Sequence, residues 1–327
     1  MYDGEAARCL RDLVFVGCIH FSVSYALIFK YINSVYENYF LIWKVYMKTI
    51  FLFGNCQVGA IMLKLNLDLN NYKIHTEPCH TTTINKIDFT NIINKSDIII
   101  TQNIKDGYRR LEYLNLNYIL NNSKDKPIII VPSCYFHFYY PDLKYINTEG
   151  GVLHEPIAYH YEYMIQNFKN DGSIENYIEN YVNNSNLISK EELLSYANNS
   201  INELKNRTQK LKDRFVSPNV YTICIAEFIA TNYKDKLLFY SMNHPTKYII
   251  NYITDEIIKI LKIKNTINYD IDPLDNVRCT LYKCIQPLVN FDISKKELRL
   301  PPHTNIYQIT KLYYETYNNL DSKIKLT

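Results

Sequence analysis

Three short runs limit this chain most: Ile50-Phe51-Leu52-Phe53, Ile98-Ile99-Ile100 and Ile128-Ile129-Ile130-Val131. Each is too short and too rich in β-branched and aromatic residues to favour a helix. None alternates apolar with polar residues, as a strand with one wet face would, so each must be covered on both sides. Such strands belong to parallel sheets, whose crossover connections need helices. The strands read as Lys48–Phe53, Tyr72–Thr76, Ser96–Thr101, Lys126–Val131 and Lys236–Tyr240, with helix-compatible spacing in segments such as Val58–Leu67 and Tyr248–Leu261. The expected fold class is α/β, a three-layer parallel sheet with helices on both faces.

A long segment between the fourth and fifth strands reads as helical. Ile174–Val182, Ser189–Ala197 and Ile201–Arg214 are charged, amphipathic and nearly free of Gly and Pro, and Ser189-Lys190-Glu191-Glu192 resembles a helix start. The expected organisation is therefore an N-terminal extension (1–46), a first part of the core (47–154), a helical subdomain (155–228), a second part of the core (229–265) and a C-terminal segment (266–327) whose last helix covers Ile306–Tyr317. Within the extension, Leu13–Phe29 is a run of 17 residues without Asp, Glu, Lys or Arg, at the short end for a membrane span. A weak membrane anchor, an extra helix on the core and a poorly ordered leader are its three readings. Membrane association is expected through residues 13–29 or not at all.

The 327 residues carry a formal net charge of +3, which gives no electrostatic case for nucleic acid. The 31 tyrosines, with abundant Asn, Ile and Lys, read as a codon bias and weaken any motif built on those residues. Eight cysteines lie scattered without CxxC pairs, so reduced thiols in a cytoplasmic protein are the expectation. His75, Cys79 and His80 cluster, but their spacing matches no zinc pattern, and no metal is expected.

In an open α/β sheet, ligands sit outside the carboxyl ends of the strands. There the first strand ends in Gly54-Asn55-Cys56-Gln57, the third in Thr101-Gln102-Asn103, and Asn243-His244-Pro245 precedes a helix. A thiol at a helix N-terminus ionises more readily beside backbone N–H groups. A nucleophile, amide donors and an imidazole on one edge are the parts of an acyl-transfer site. The alternative for Cys56 is packing in a turn, and for His244 a plain helix-start position.

This layout resembles the SGNH (GDSL-like) hydrolases, with Cys56 at the serine position, Asn103 or Gln102 near the oxyanion asparagine and His244 near the base. Ser241, not Asp, lies three residues before His244, so the usual carboxylate partner is absent. The ordered segments FGNCQ (53–57), TQNIKDGYR (101–109), VPSCYFHFYYPDL (131–143), SINELKNRTQKL (200–211) and FYSMNHPT (239–246) are similar to the WcbI family of polysaccharide-biosynthesis acetyltransferases. The resemblance implies acetyl-CoA as donor and a sugar hydroxyl, on a glycan or nucleotide-sugar, as acceptor. Cys56 would be the nucleophile and His244 the base; Gln57, Gln102, Asn103 and Asn243 would serve the oxyanion or substrate. Asn55, Arg109 and Arg110 are candidates for coenzyme A, and His137, Tyr139 and Tyr140 for an acceptor pocket. His303, before the last helix, is a rival base. An esterase or thioesterase, and a catalytically inactive coenzyme A- or glycan-binding module, are the alternative functions.

Overall fold

The computed structural model describes residues 47–68, 72–148, 151–263, 270–295, 300, 303 and 305–320. The chain divides into two units, Met1–Met47 and Lys48–Thr327. The run Leu13–Phe29 lies outside the described residues. Among those described, no helix is long and apolar enough to cross a membrane.

Four of the expected strands form: β1 (Lys48–Gly54), β2 (Tyr72–Pro78), β3 (Ile98–Gln102) and β4 (Ile128–Val131). They pair in parallel in the order β2-β1-β3-β4, with Ile50 opposite Ile98 and Ile99 opposite Ile128. The pleat sends alternate residues to opposite faces. Phe51, Phe53, Ile99, Ile128 and Ile130 pack with Phe89 and Ile93 of helix α2 (Lys86–Lys95) and Ile119 of α3 (Leu116–Asn122). Ile50, Leu52, Ile98, Ile100, Ile129 and Val131 enter the other core, with Val58 and Ile61 of α1 (Cys56–Asp68). That split makes the three layers, and it explains why the strand sequences show no alternation.

The short strands β5 (Leu143–Lys144), β6 (Asn147–Thr148), β7 (Gly151–Val152) and β8 (His160–Tyr161) form two small antiparallel pairs after β4. Helices α4 (Glu162–Lys169) and α5 (Ile174–Tyr177) follow.

The fifth position of the main sheet differs from expectation. It is filled by β9 (Val220–Thr222), which runs parallel to β4 with Ile129 opposite Tyr221. The segment 155–228 thus contributes a core strand and is not helical throughout. Lys236–Tyr240 does not join the main sheet. Its end, β10 (Phe239–Ser241), pairs antiparallel with β11 (His244–Pro245) across an irregular register. The physical reason is that Leu238 and Phe239 are fully buried against other elements without needing a sheet neighbour on each side. The two helices expected within 189–214 are one, α6 (Lys190–Arg214); Asn198-Asn199-Ser200 contains neither Gly nor Pro to break it. Its start matches the sequence signal, since the Ser189 side chain accepts from Glu192 N–H at 3.2 Å. After α7 (Ala226–Asn232) and the hairpin comes α8 (Lys247–Leu261), which packs on α1, and α9 (Ile306–Asn319) is the last helix described.

Candidate active site

The sheet order β2-β1-β3-β4-β9 reverses direction between β1 and β3, so a crevice opens beyond the carboxyl ends of these two strands. Gly54 closes β1 where only a residue without a side chain fits. A Cβ there would lie 2.3 Å from Val58 Cγ2 and 2.7 Å from Gln102 Oε1. Asn55 then caps α1: its side-chain oxygen accepts from Gln57 N–H at 3.0 Å. This leaves Cys56 as the first residue of the helix, exposed at the crevice.

His244 comes from a separate element, the β10–β11 hairpin, 188 residues further along. Its Nε2 lies 3.8 Å from Cys56 Sγ. The ring meets Tyr159 edge-on, centroids 5.5 Å apart. Burial pushes the imidazole down to about 4, so the ring is neutral at pH 7. Nδ1 is buried and has no hydrogen-bond partner among the described residues. Ser241, three residues before His244, is fully buried; its hydroxyl lies 3.5 Å from Asn243 Oδ1 and interacts with the Tyr159 hydroxyl.

The thiol departs from expectation. Surrounding protein pushes Cys56 above its ordinary range, and the Gln57 and Cys56 N–H groups offset this only partly. Cys56 as a residue is exposed while its sulfur is crowded by neighbouring protein. The resting pair is therefore a neutral thiol beside a neutral imidazole.

Gln57 and Gln102 take a different place from the one expected of them. Both are almost fully buried. Gln57 Nε2 donates to Cys134 O at 2.9 Å and Asn243 O at 2.8 Å, and its Oε1 accepts from Cys134 N at 2.9 Å and Gln102 Nε2 at 3.2 Å. Gln102 Nε2 also approaches Pro132 O at 3.3 Å, and Gln102 Oε1 accepts from Asn55 N–H at 2.8 Å. An amide has two N–H donors, so neither side chain has one left for an oxyanion. Together they stitch the ends of β1, β3 and β4 to the hairpin that carries His244.

Asn103, at the end of β3, is exposed, and its amide makes no hydrogen bond to any described residue. Asn243 is held by two tyrosines: Tyr159 OH donates to its Oδ1 at 2.6 Å, and its Nδ2 donates to Tyr145 OH at 2.8 Å. Arg109 and Arg110 both adopt left-handed backbone conformations, with φ of 53° and 59°. The Arg109 guanidinium is tied to Cys79 O at 3.3 Å and Thr82 O at 2.7 Å, whereas Arg110 is exposed and makes no ion pair with a described residue.

The expected acceptor pocket does not form as a unit. Tyr139 is fully buried, its single hydroxyl proton shared between Tyr233 O and Lys236 O, and Tyr140 OH donates to Phe239 O at 3.0 Å. Only His137 is half-buried, packed on Tyr135 with its N–H on Ser200 Oγ at 3.2 Å. Two adjacent large apolar bodies after a core strand fill the core first. His303 forms an isolated bridge with Leu300 and contacts neither Cys56 nor His244 by any hydrogen bond among the described residues. His75 pairs with Glu77 at 3.0 Å, and no group of three metal-ligating side chains occurs among the described residues. Tyr145 and Tyr159 carried no sequence signal, being two of 31 tyrosines.

Fold and site together define an α/β protein of flavodoxin-like strand order with a thiol–imidazole pair at the switch point of its sheet. The chain belongs to the WcbI family: the family model described as polysaccharide biosynthesis enzyme WcbI matches residues 49–266. A solved structure described as WcbI, a novel polysaccharide biosynthesis enzyme, in its native form without a disulfide bond between coenzyme A and one of its cysteines, is similar in fold. It aligns with a TM-score of 0.70 at 21% identity, over 84% of this chain and 91% of that one. No curated protein sequence matches the chain. The family resemblance read from the five sequence segments therefore holds, and the chain is a polysaccharide biosynthesis enzyme by family.

Proposed function

We propose that this protein transfers an acetyl group from acetyl-CoA to a sugar hydroxyl, with Cys56 as nucleophile and His244 as general base. The observation that carries the reading is the 3.8 Å approach of Cys56 Sγ to His244 Nε2, side chains 188 residues apart that the Gln57–Asn243 contact holds together. Acetyl-CoA supplies the acyl group as an activated thioester. The donor set suits such a substrate: an exposed thiol at a helix N-terminus, the open amide of Asn103, and the guanidinium of Arg110, unpaired among the described residues, for phosphate.

His244 Nε2 takes the Cys56 proton as the sulfur bonds to the acetyl carbon, and returns it to the departing thiolate. The acetyl-cysteine then loses its acyl group to a sugar oxygen, whose proton passes to His244 and back to Cys56 Sγ. With Gln57 and Gln102 committed inward, the oxyanion falls to the Cys56 N–H and Asn103. Losing one such donor costs on the order of a hundredfold in turnover. Asn243 acts through its neighbours, anchoring the hairpin.

The test is the intact mass of the protein after incubation with acetyl-CoA. Native protein should gain one acetyl group, and Cys56→Ser and His244→Ala should not. Absence of the adduct in native protein, with full transfer activity in Cys56→Ser, refutes the covalent route. The orphaned Nδ1 of His244 favours one second reading, a binding module without turnover. Thermal stabilisation by coenzyme A with no product from any sugar would select it.

A further inference from the structure

A cavity of about 930 Å³ lies against the hairpin that carries His244 but is lined by neither His244 nor Cys56. Tyr240 of β10 and Lys247 and Tyr248 at the start of α8 form one side, and Arg278, Lys283 and Phe291 part of the other. Its size falls within the roughly 300–1,000 Å³ of small-molecule sites.

The donors and acceptors of its wall are unequally used. All three lining carboxylates are occupied by protein. Asp272 accepts from Tyr240 OH at 2.6 Å and from Lys247 N–H at 3.1 Å. Asp292 accepts from the N–H and hydroxyl of Ser294 at 3.0 and 2.6 Å, and Asp235 accepts from Asn290 Nδ2. The lysines are less engaged than Arg278, which pairs with Asp275 and lies over the Tyr240 ring. Lys283 is exposed and pairs with no described residue, Lys236 reaches Asn232 Oδ1 at 3.3 Å and lies over the Tyr248 ring, and Lys247 reaches the exposed Asp270 at 3.8 Å. An ammonium group has three N–H donors, so the three lysines hold donors in reserve. Those donors suit a ligand rich in acceptors, a phosphate or a carboxylate. Phe291 and the half-exposed Tyr248 ring, one face of which lies under the Lys236 ammonium at 5.4 Å, add flat apolar surface against which the C–H face of a sugar ring packs.

We propose that this cavity binds an anionic saccharide, a sugar bearing phosphate or carboxylate, at a site separate from the Cys56–His244 pair. The saccharide half rests on the glycan acceptor proposed above; the anion half rests on the cavity alone. The site holds a part of the acceptor remote from the reacting hydroxyl, on the hairpin that positions the base.

The experiment is calorimetric titration of the full chain with glucose 1-phosphate, glucuronate, glucose, inorganic phosphate and coenzyme A. Glucose 1-phosphate or glucuronate should bind saturably, at least about tenfold more tightly than glucose or inorganic phosphate, and with the same Kd in Cys56→Ser. Which of the two binds more tightly tells phosphate from carboxylate. Lys283→Glu and Tyr248→Ala, both at exposed positions, should each weaken that binding about tenfold and leave coenzyme A binding unchanged. No saturable binding of either probe overturns the proposal. So does competition by coenzyme A, equal affinity for inorganic phosphate, or indifference to both substitutions. Acetylation of Cys56 needs none of these residues, so failure of the acetyl-transfer reading and failure of this one are seen in different measurements.

Discussion

Replacing Gln57 by Leu tests whether the buried amide pair, and not the thiol–imidazole contact, holds the crevice together. Leu keeps nearly the same volume, so the perturbation is the loss of polar partners and not a void. Four hydrogen bonds of 2.8 to 3.2 Å disappear. They leave Cys134 N–H, Cys134 O and Asn243 O without partners in a region where Gln57 is 1% exposed. Gln102 Nε2 retains Pro132 O. A buried polar group left unpaired costs about 1–3 kcal/mol, so three of them, softened by the apolar gain of Leu, come to about 4 kcal/mol. With an m-value of about 3 kcal/mol/M, the urea midpoint should fall by about 1.3 M at unchanged m. Gln57→Glu is the companion: it keeps the shape but faces two carbonyls with acceptors, and should be at least as damaging. A loss below about 1 kcal/mol for Gln57→Leu would refute the claim, because it would mean that water satisfies these groups and that Gln57 is a surface residue in solution.

Three further outcomes are expected. Gly54→Ala, whose Cβ would fall 2.3 Å from Val58 Cγ2, should cost about 1–3 kcal/mol in thermal or urea melts; a neutral result would mean that β1 and α1 separate easily. The fully buried His160 and the half-buried His244 are both held down to about 4, against an ordinary 6.5, so the unfolded chain binds more protons between those values. Stability should be complete above about pH 6.5 and decline toward pH 4, by about 3 kcal/mol for His160 alone; Asp142, raised to about 6, works in the opposite direction over pH 6 to 4 but is outweighed by two histidines. A urea midpoint that is flat from pH 7 to 4.5 would contradict this. Alkylation of Cys56 by iodoacetamide in the unliganded protein should rise steadily with pH to beyond the ordinary thiol range, since crowding raises the thiol. A reactive plateau near pH 6 that His244→Ala abolishes would instead reveal a resting thiolate–imidazolium pair.

The parts legible in the sequence are those where one residue pattern has one structural solution. Ile98-Ile99-Ile100 and Ile128-Ile129-Ile130-Val131 admit only doubly covered strands, and Ser189 followed by Glu191-Glu192 marks the start of α6. Val220-Tyr221-Thr222 escapes because three half-exposed residues carry no periodicity, and a strand with a single neighbour needs none. Leu237–Tyr240 reads as a parallel strand because burial is visible in sequence but the hydrogen-bonding partner is not. The rule that strand ends face ligands singles out Cys56 at the end of β1; His244 is reached through a strand that pairs in a separate hairpin, yet the two side chains lie 3.8 Å apart. The roles of Gln57 and Gln102 are not found that way. A glutamine at a sheet edge has the same one-dimensional signature whether its amide faces solvent or closes a buried network, and only the positions of Cys134 and Asn243 decide.

A missing carboxylate and a buried amide network are two sides of one arrangement. In a serine-based site the base is oriented by its acid partner, which also stabilises the charge that the imidazole gains. Here no acid among the described residues faces His244 Nδ1, and burial sets the ring near 4. Orientation must come from the backbone instead, and it does. Gln57, next to Cys56, donates to Asn243 O, one residue before His244, so a single side chain ties helix α1 to the hairpin. The two tyrosines on the Asn243 amide fix it from the other side. Such a site is poor at holding separated charge while empty, which protects an exposed thiol from indiscriminate chemistry. On the proposed reading, its reactivity depends on what the bound donor brings: phosphates and a polarised carbonyl that favour the thiolate only when the donor is present. A thiol suits that reading because it ionises with less help than a hydroxyl, and a cysteine, not a serine, follows Gly54-Asn55 in this chain.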